Sequence, residues 1–378
     1  MLRSRLRSSE ISAVVRKAAT GTGFDLAGIA PVEDAPELEY FPRWIAEGRA
    51  GEMKYLEARD EQDRLKRASL AHAAPWARSV VVCAINYNTA QPYSTQVPDD
   101  GAEARGRGWI SRYAWGQQDY HDSVMPRLRQ VEAALRNACG AQDENQDDLI
   151  TRCYVDTGPI VERVVAKYAG IGWIGKNTCI INQKLGSWLF LGVILSSLDL
   201  EGESAEVSLP APDRCGSCTR CIDACPTDAL TAPYQLDSNK CIAYLTIEKR
   251  GAIPDDDDLR SGMGRHIFGC DICQDVCPWN RKAPATNAAE FQPRAELVNP
   301  ALDWLAEMSE EEFRRAFRGS PVRRAKRSGL RRNAVIAMGN CGERKFLPLL
   351  EKLSADQDEV LRESAAWAIQ KLTAIQIK

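Results

Sequence analysis

The feature that most constrains this chain is the spacing of its cysteines between positions 215 and 277. Cys215, Cys218, Cys221 and Cys225 precede Pro226 in the pattern C-x2-C-x2-C-x3-C-P. In this pattern three thiolates on one tight loop bind three irons of a [4Fe–4S] cube, and the fourth thiolate points to a second cube. The spacing therefore predicts two iron–sulfur clusters and one-electron transfer.

A second, incomplete copy of the pattern supplies further ligands. Cys270, Cys273 and Cys277 precede Pro278, but Ile267 stands where the first cysteine of the copy would be. Cys241, between the two copies, is the obvious replacement. With crossed ligation, we predict one cluster on Cys215, Cys218, Cys221 and Cys277 and the other on Cys225, Cys241, Cys270 and Cys273. Zinc is the alternative metal, but a zinc site needs neither the triple repeat nor the Cys-Pro endings.

Composition places the chain among globular proteins. Its 378 residues are 44% hydrophobic and 27% charged, which predicts roughly two to three domains. The longest apolar stretch, residues 187–198, is too short to span a bilayer, and the basic N-terminus lacks the apolar region of an export signal. We therefore expect a cytoplasmic enzyme with no membrane partner. The five scattered cysteines read as small buried hydrophobes: Cys83, Cys139, Cys153, Cys179 and Cys341.

The elements indicate a multidomain α+β fold. Residues 79–87 and 187–198 are β-branched apolar runs of strand type, and residues 159–169 carry a helical apolar stripe. Near the C-terminus, residues 330–340 and 361–371 are similar helical segments, with a further helix predicted at 346–353. The two segments begin 31 residues apart, and a period of this size in paired helices favours a short HEAT-like repeat. Two ordinary alanine-rich helices that resemble each other by coincidence remain the alternative.

The formal net charge of −3 gives no sign of a long basic run in the C-terminal part of the chain. Residues 314–332 hold nine basic side chains and no acidic one, namely Arg314, Arg315, Arg318, Arg323, Arg324, Lys326, Arg327, Arg331 and Arg332. Such a run predicts a surface for a polyanion, RNA included. A solvated helix face is the alternative.

Four segments resemble the epoxyqueuosine reductase family. They are GEMKYLEAR at 51–59, ISRYAWGQQDYH at 110–121, VDTGPIVERVVAKYAGIGWIGKNTCIINQKLGSWLFLG at 155–192 and FGCDICQDVCPWN at 268–280. The resemblance implies reduction of epoxyqueuosine to queuosine at the wobble position of tRNA. It also implies that electrons pass from a low-potential donor through two [4Fe–4S] clusters to cobalamin, in a monomer.

The resemblance also implies domains and site residues. We expect an α/β cobalamin-binding catalytic domain at 1–200, a ferredoxin-like domain with two clusters at 205–285 and a HEAT-like tRNA-docking domain at 300–378. Asp156 would be the proton donor, although an aspartate before a helix could instead cap it. The expected cobalamin contacts are Arg59, Ser111, Arg112, Asp156, Lys176, Asn177, Cys179, Ser187 and Trp188.

Two other patterns point away from familiar cofactor sites. Gly170, Gly172 and Gly175 spell G-x-G-x-x-G, but the segment follows a predicted helix instead of a strand, so a dinucleotide site is disfavoured. His121 lies in an incomplete D-x-H-x-x-G string, which favours cobalamin without a histidine lower ligand and a local loop role for this side chain.

Two other classes of protein are compatible with the spacing of the cysteines. A corrinoid reductive dehalogenase would carry similar clusters, but we would expect a twin-arginine leader and no basic helical tail. A simple electron carrier would leave the long N-terminal region and the tail without a role.

Overall fold

The computed structural model describes residues 8–96, 102–140, 149–200 and 210–374 of the chain. Its strands are β1 (Leu26–Pro31), β2 (Ser79–Asn86), β3 (Trp109–Ile110), β4 (Thr151–Tyr154), β5 (Trp173–Ile174), β6 (Ile180–Ile181), β7 (Leu189–Ser196), β8 (Leu230–Ala232), β9 (Gln235–Leu236) and β10 (His266–Phe268).

The α-helices alternate with these strands and then dominate the C-terminal part. They are α1 (Ser8–Gly21), α2 (Pro36–Ala46), α3 (Leu70–Ala73), α4 (Ala102–Arg105), α5 (Tyr120–Ala138), α6 (Glu162–Tyr168), α7 (Arg220–Asp223), α8 (Ile242–Ile247), α9 (Asp257–Gly262), α10 (Ile272–Asp275), α11 (Leu302–Glu307), α12 (Glu310–Ala316), α13 (Lys326–Asn340), α14 (Leu347–Leu353) and α15 (Glu359–Ala374). Among the described helices, none has both the length and the apolar character needed to cross a membrane.

The chain divides into two compact units that interleave along the sequence. The first comprises Met1–Asn88, Tyr120–Cys218 and Pro278–Ala285; the second comprises Thr89–Asp119, Thr219–Cys277 and Thr286–Lys378. The three-domain division expected from the sequence stays a prediction.

The first unit is built on a four-stranded sheet in the order β1-β2-β7-β4. The predicted strands at 79–87 and 187–198 are confirmed as β2 and β7, which pair from Ser79↔Ser196 to Asn86↔Leu189. Every residue of β2 is buried, as its β-branched run requires. All three pairings in the sheet are antiparallel. The expected α/β character of this region therefore holds only as a mixture of helices and strands, since the pairings in this sheet are antiparallel although long segments separate the paired strands along the chain.

Helix α6 packs closely on the edge of this sheet. A Cβ at Gly28 of β1 would lie 1.9 Å from the carbonyl oxygen of Ala169, so only glycine permits this approach. The helix predicted over 159–169 is confirmed, but it begins at Glu162 because Val161 keeps an extended backbone, with φ −105° and ψ 90°.

The second unit combines the cysteine-rich segment with the C-terminal helices. Strand β10 pairs in parallel with β3, and the predicted C-terminal helices appear as α13, α14 and α15. Helices α13 and α15 cross tightly, since a Cβ at Gly339 would lie 2.9 Å from the Cα of Ala368. The helical content is confirmed, and the HEAT-like classification stays a prediction.

Candidate functional site

Asp156 lies in a strained loop directly after β4. Its φ is +58°, in the left-handed region that non-glycine residues adopt at a cost. Its side chain is exposed, and Oδ2 accepts a hydrogen bond of 2.7 Å from the Oη of Tyr120, the first residue of α5. The Tyr120 ring is stacked on Phe190 of β7 at 4.4 Å, with an interplanar angle of 6°. The central sheet therefore orients the hydroxyl that holds this carboxylate.

The interpretation of Asp156 as a helix cap is wrong. Helix α6 begins at Glu162 with Val161 in the N-cap position, six residues beyond Asp156. A carboxylate at that distance does not bind the first amides of the helix, since a cap bonds the backbone two or three positions ahead. The strain at Asp156 thus has no explanation in local capping.

Two side chains beside this loop were missed by the sequence reasoning. Arg67 donates from Nη2 to the carbonyl of Gly158 at 2.8 Å and from Nη1 to the carbonyl of Tyr55 at 2.7 Å. Glu162 is half-buried with its Oε1 enclosed, and burial raises its pKa to about 7, with the charge of Asp156 acting in the same direction. Neither residue belongs to a spacing pattern, although both fall in or near segments that carry the resemblance.

The three-glycine segment has a packing explanation. Strands β5 and β6 form an antiparallel pair, and a Cβ at Gly172 would lie 2.2 Å from the carbonyl oxygen of Ile181. Gly170 has a φ of +71° and follows α6, which it helps to end. The described segment thus has a helix before it and a hairpin after it, and this agrees with the exclusion of a dinucleotide site.

The turn between β5 and β6 contains three of the expected cobalamin residues, Lys176, Asn177 and Cys179. Nζ of Lys176 donates to the carbonyl of Gly216 at 2.6 Å, and Oδ1 of Asn177 accepts from the backbone N–H of Cys179 at 3.2 Å. The turn also touches the Cys215 thiol. Burial raises the pKa of Cys215, whereas a hydrogen bond from the Lys176 backbone acts to lower it.

Other expected cobalamin contacts are buried in their own units, where they support the fold, and their assignment to cobalamin stays a prediction. Trp188 has no exposed surface, and Ser187 hydrogen-bonds Asn280 through both its backbone N–H and Oγ. Arg112 is 2% exposed and donates to backbone carbonyls of the 89–92 segment. The side chain of Asn177, which is 4% exposed, is enclosed to the same degree, so in the 176–179 turn it is the half-buried Lys176 and Cys179 that present side-chain surface to a ligand.

Ser111 and Arg112 instead organise a cysteine loop of the second unit. Oγ of Ser111 donates to Oδ1 of Asp271 at 2.5 Å, and the backbone N–H of Arg112 donates to Oδ2 at 2.7 Å. Asp271 directly follows Cys270. Arg59 lies elsewhere, in the first unit, where it is exposed and faces Asp63.

The described cysteines of the second predicted cluster lie close together. Cys241 is the N-cap residue of α8, and Cys270 follows β10. Burial raises the pKa of Cys270 well above its usual value, and the neighbouring thiols of Cys241 and Cys225 add to this effect. Three of the four predicted ligands are therefore near enough to interact, as one cube requires.

The described side chains form no site for a single metal ion. Among the residues the structure describes, no group of three or more His, Cys, Asp or Glu side chains is placed to hold one metal ion. Each cysteine of a cubane site binds a different iron, so a cubane does not need its ligands to converge on one point. The first predicted set falls in both units, and its assignment stays a prediction.

His121 is not in a loop, as the sequence suggested, but is the second residue of α5. Its ring lies 4.2 Å from the ring of the neighbouring Tyr120. The absence of a histidine lower ligand stays a prediction.

The basic run lies on the surface of the second unit only in part. Arg314, Arg315, Arg318, Arg323 and Lys326 are exposed, whereas Arg324 and Arg327 are half-buried. We correct the prediction for the last two members of the run. Arg331 is 7% and Arg332 1% exposed, and both guanidinium groups bind backbone carbonyls inside the fold.

Comparison with known proteins agrees with this arrangement. Residues 214–280 match the family model described as "4Fe-4S double cluster binding domain", and residues 67–157 match "Epoxyqueuosine reductase QueG, DUF1730". The first match includes all eight predicted cluster cysteines. These matches define an iron–sulfur protein.

Curated relatives match over nearly the whole chain. The epoxyqueuosine reductase of Xanthomonas campestris is 36% identical over 362 residues, covering 96% of each protein. That of Pseudomonas aeruginosa is 38% identical over 352 residues, covering 92% of this chain and 91% of the relative. The chain belongs to the epoxyqueuosine reductase family, and it is a tRNA-modifying oxidoreductase.

Solved structures of the family superpose over the same extent. A crystal structure of epoxyqueuosine reductase with an epoxyqueuosine-modified tRNA-Tyr stem loop has a TM-score of 0.80 and 31% identity, covering 97% of this chain and 91% of the other. A Bacillus subtilis structure, described as having an aspartate catalytic loop swung out of the active site, has a TM-score of 0.80 and 30% identity with the same coverage.

Proposed function

We propose that this chain reduces epoxyqueuosine in the anticodon loop of tRNA to queuosine, with Asp156 as the proton donor. The observation that carries the role of Asp156 is its hydrogen bond from Tyr120 at 2.7 Å, made by an exposed carboxylate in a strained loop. Strained residues that local structure does not require concentrate at functional sites. The Bacillus subtilis relative, whose catalytic loop carries an aspartate, supports the same role.

The chemistry explains why a carboxyl group is needed. Conversion of the epoxide to an alkene consumes two electrons and two protons and releases the oxygen as water. The oxygen leaves its carbon only if it is protonated as the bond breaks, which is a general-acid task. A carboxyl group held by one hydroxyl and otherwise exposed can reach a base that enters from solvent. Tyr120 fixes the direction of the carboxyl group without covering it.

Cobalamin and the two [4Fe–4S] clusters supply the low-potential electrons when bound, because amino-acid side chains provide no such reductant. We propose that the 176–179 turn holds the corrin, with no histidine lower ligand. Support comes from the contact of the Lys176 backbone with the Cys215 thiol. A turn that touches a cluster ligand keeps the distance for electron transfer short.

We propose that the exposed members of the basic run bind the tRNA backbone. Phosphate contacts position a nucleic acid and make its affinity depend on salt. The relative solved with a tRNA stem loop supports an RNA substrate. We also propose that the protein is a cytoplasmic monomer and that it receives electrons from a low-potential donor.

One turnover experiment tests this function. The protein is purified without oxygen, loaded with cobalamin and iron–sulfur clusters, and incubated under reducing conditions with tRNA from cells blocked at the epoxide stage. Nucleosides from the digested tRNA are then analysed by mass spectrometry. We expect epoxyqueuosine to lose one oxygen atom and to become queuosine. An unchanged epoxide in the presence of a loaded, reduced enzyme would contradict the proposal.

A further inference from the structure

The stoichiometry of the proposed reaction raises the question of a second proton. Each epoxide needs two protons, one when the ring oxygen leaves carbon and one when it departs as water. The carboxyl group of Asp156 carries a single proton and is ionised after giving it up. Asp156 must therefore be reprotonated during turnover, either by the solvent to which it is exposed or by a neighbouring titratable group. This inference rests on the proposed function and deepens it.

Glu162 lies where such a source would be needed. It is the first residue of α6, six positions after Asp156 in the same unit, and its charge and that of Asp156 act on one another. Its Oε1 is buried and has no hydrogen-bond partner among the described residues. The backbone N–H of Glu162 itself hydrogen-bonds the carboxylate, but a carboxylate that served only the fold would be expected to have a donor on each buried oxygen, because an unsatisfied charge in the interior is costly.

The cations near Glu162 are engaged elsewhere. Arg67 directs both terminal nitrogens to backbone carbonyls, those of Tyr55 and Gly158. Arg163 directs Nη1 to the carbonyl and hydroxyl oxygens of Thr178. Their charges favour the ionised form of Glu162, but burial and the Asp156 carboxylate outweigh them and raise its pKa to about 7. The carboxyl group therefore holds a proton through much of the neutral range, unlike an ordinary glutamate.

We propose that Glu162 is the proton reservoir for Asp156. After Asp156 gives its proton to the leaving oxygen, the O–H bond of the Glu162 carboxyl breaks and a new O–H bond forms on Asp156. Glu162 then takes up a proton from the solvent, and the recharged Asp156 supplies the second proton that releases the oxygen as water. A second transfer from Glu162 to Asp156, followed by uptake of another proton from the solvent, returns both carboxyl groups to their starting state. No electron moves in this relay. Glu162 acts through Asp156 and is thus a positioning residue.

The test compares Glu162→Gln with the wild type in the loaded enzyme, using epoxyqueuosine-containing tRNA. Glutamine keeps the size of the side chain but has no transferable proton. We expect kcat to fall by about 10- to 100-fold, within the range of proton-transfer effects, while KM for tRNA changes less than about twofold. In the wild type, kcat should fall as pH rises through about 7, and this ionisation should be missing from the profile of the variant.

Glu61→Gln, a change of an exposed glutamate in the same unit, is the matched control and should leave kcat and its pH profile unaltered. Glu162→Asp should restore part of the rate and keep an ionisation in the profile. If Glu162→Gln keeps the ionisation near pH 7, or if it lowers kcat only in parallel with cofactor content, the relay is wrong.

A second measurement does not depend on activity. Because the pKa of Glu162 is higher in the folded chain than in the unfolded one, stability that is present below about pH 4.5 should be lost as pH rises to about 7. Glu162→Gln should lack this part of the pH dependence of thermal unfolding. Identical pH dependence in both proteins would overturn the proposal. If the wild type reduces no epoxide but this difference is present, the proposed function fails while the protonated Glu162 stands.

Discussion

The Oη of Tyr120 donates a hydrogen bond of 2.7 Å to Oδ2 of Asp156, although the two residues lie 36 positions apart. One stands at the start of α5, and the other stands in the loop after β4. Tyr120 also stacks on Phe190 of the central sheet. The direction of the proposed proton donor is thus set by the core of its unit, while its loop remains strained.

Replacing Tyr120 with phenylalanine tests this orientation. Tyr120→Phe keeps the ring on Phe190 but removes the donor, and hydrogen bonds to charged groups contribute about 1.5–3 kcal/mol. We expect kcat to fall by roughly 10- to 100-fold with cofactor content unchanged. Tyr234→Phe, which changes an exposed tyrosine of the second unit, is the control. Equal rates for Tyr120→Phe and the wild type would show that the bond does not orient the acid.

Replacing Asp156 with asparagine tests the proton donor itself. Asp156→Asn keeps the shape and tolerates the left-handed backbone but cannot give a proton, so turnover should fall by about 100-fold or more. Asp63 has a φ of +60° and is also exposed, so Asp63→Asn is a matched control that should remain active. Cobalamin and iron content, measured by absorption and metal analysis, should be the same in both variants. Substantial turnover by Asp156→Asn would remove this residue from the chemistry.

A serine substitution tests the assignment of the cysteines to two clusters. Cys241→Ser should selectively damage the second cluster and reduce the iron content from about eight per chain to about four. Cys139→Ser changes a half-buried cysteine outside both sets and should leave both clusters intact. Iron analysis and absorption spectra measure the difference. Eight irons with unaltered spectra in Cys241→Ser would show that another residue completes the set.

The sequence predicted those strands and cluster ligands that are determined by residues adjacent in the chain. Strands β2 and β7 could be predicted because they are contiguous apolar runs, and the cluster cysteines could be predicted because ligand spacing is fixed by the geometry of the cube. The antiparallel order of the sheet could not, since strand direction depends on connections that leave no periodic trace. The start of α6 was placed too early, because Val161 keeps an extended backbone and the helix begins only at Glu162.

The sequence did not predict those properties of the site that depend on which residues pack together in the folded chain. Glu162 reads in sequence as an acidic residue at a helix start, and only its burial beside Asp156 gives it an unusual pKa. Arg332 belongs to the same basic run as Arg323, yet one is enclosed and the other is exposed. Charge patterning does not distinguish the two, because Arg332 is enclosed by the packing of α13, whereas Arg323 lies in the short 3-10 helix Pro321–Ala325 that precedes it.

The exposed part of the basic run should control tRNA affinity. The double change Arg318→Glu and Arg323→Glu removes two exposed cations and should weaken tRNA binding by at least about tenfold at low salt. It should also reduce the slope of log K against log salt by about 1 to 2. The double change Arg344→Glu and Lys345→Glu, at exposed positions outside the run, is the control. Affinity is measured by fluorescence anisotropy with labelled tRNA over a range of salt concentrations. Equal losses in both double variants would indicate a nonspecific charge effect.

Arg332 should behave as a structural residue. Its guanidinium donates to the carbonyls of Leu245, Lys249 and Gly251, with distances from 2.6 to 3.1 Å. Arg332→Ala leaves these buried acceptors without their donor, which should lower the free energy of unfolding by about 3 kcal/mol or more. Arg315→Ala, at an exposed position of α12, should change it by less than about 0.5 kcal/mol. Urea unfolding of the loaded proteins measures both values. If Arg332→Ala is as stable as the wild type but binds tRNA less tightly, Arg332 belongs to the RNA-binding surface after all, because the substitution then affects binding and not folding.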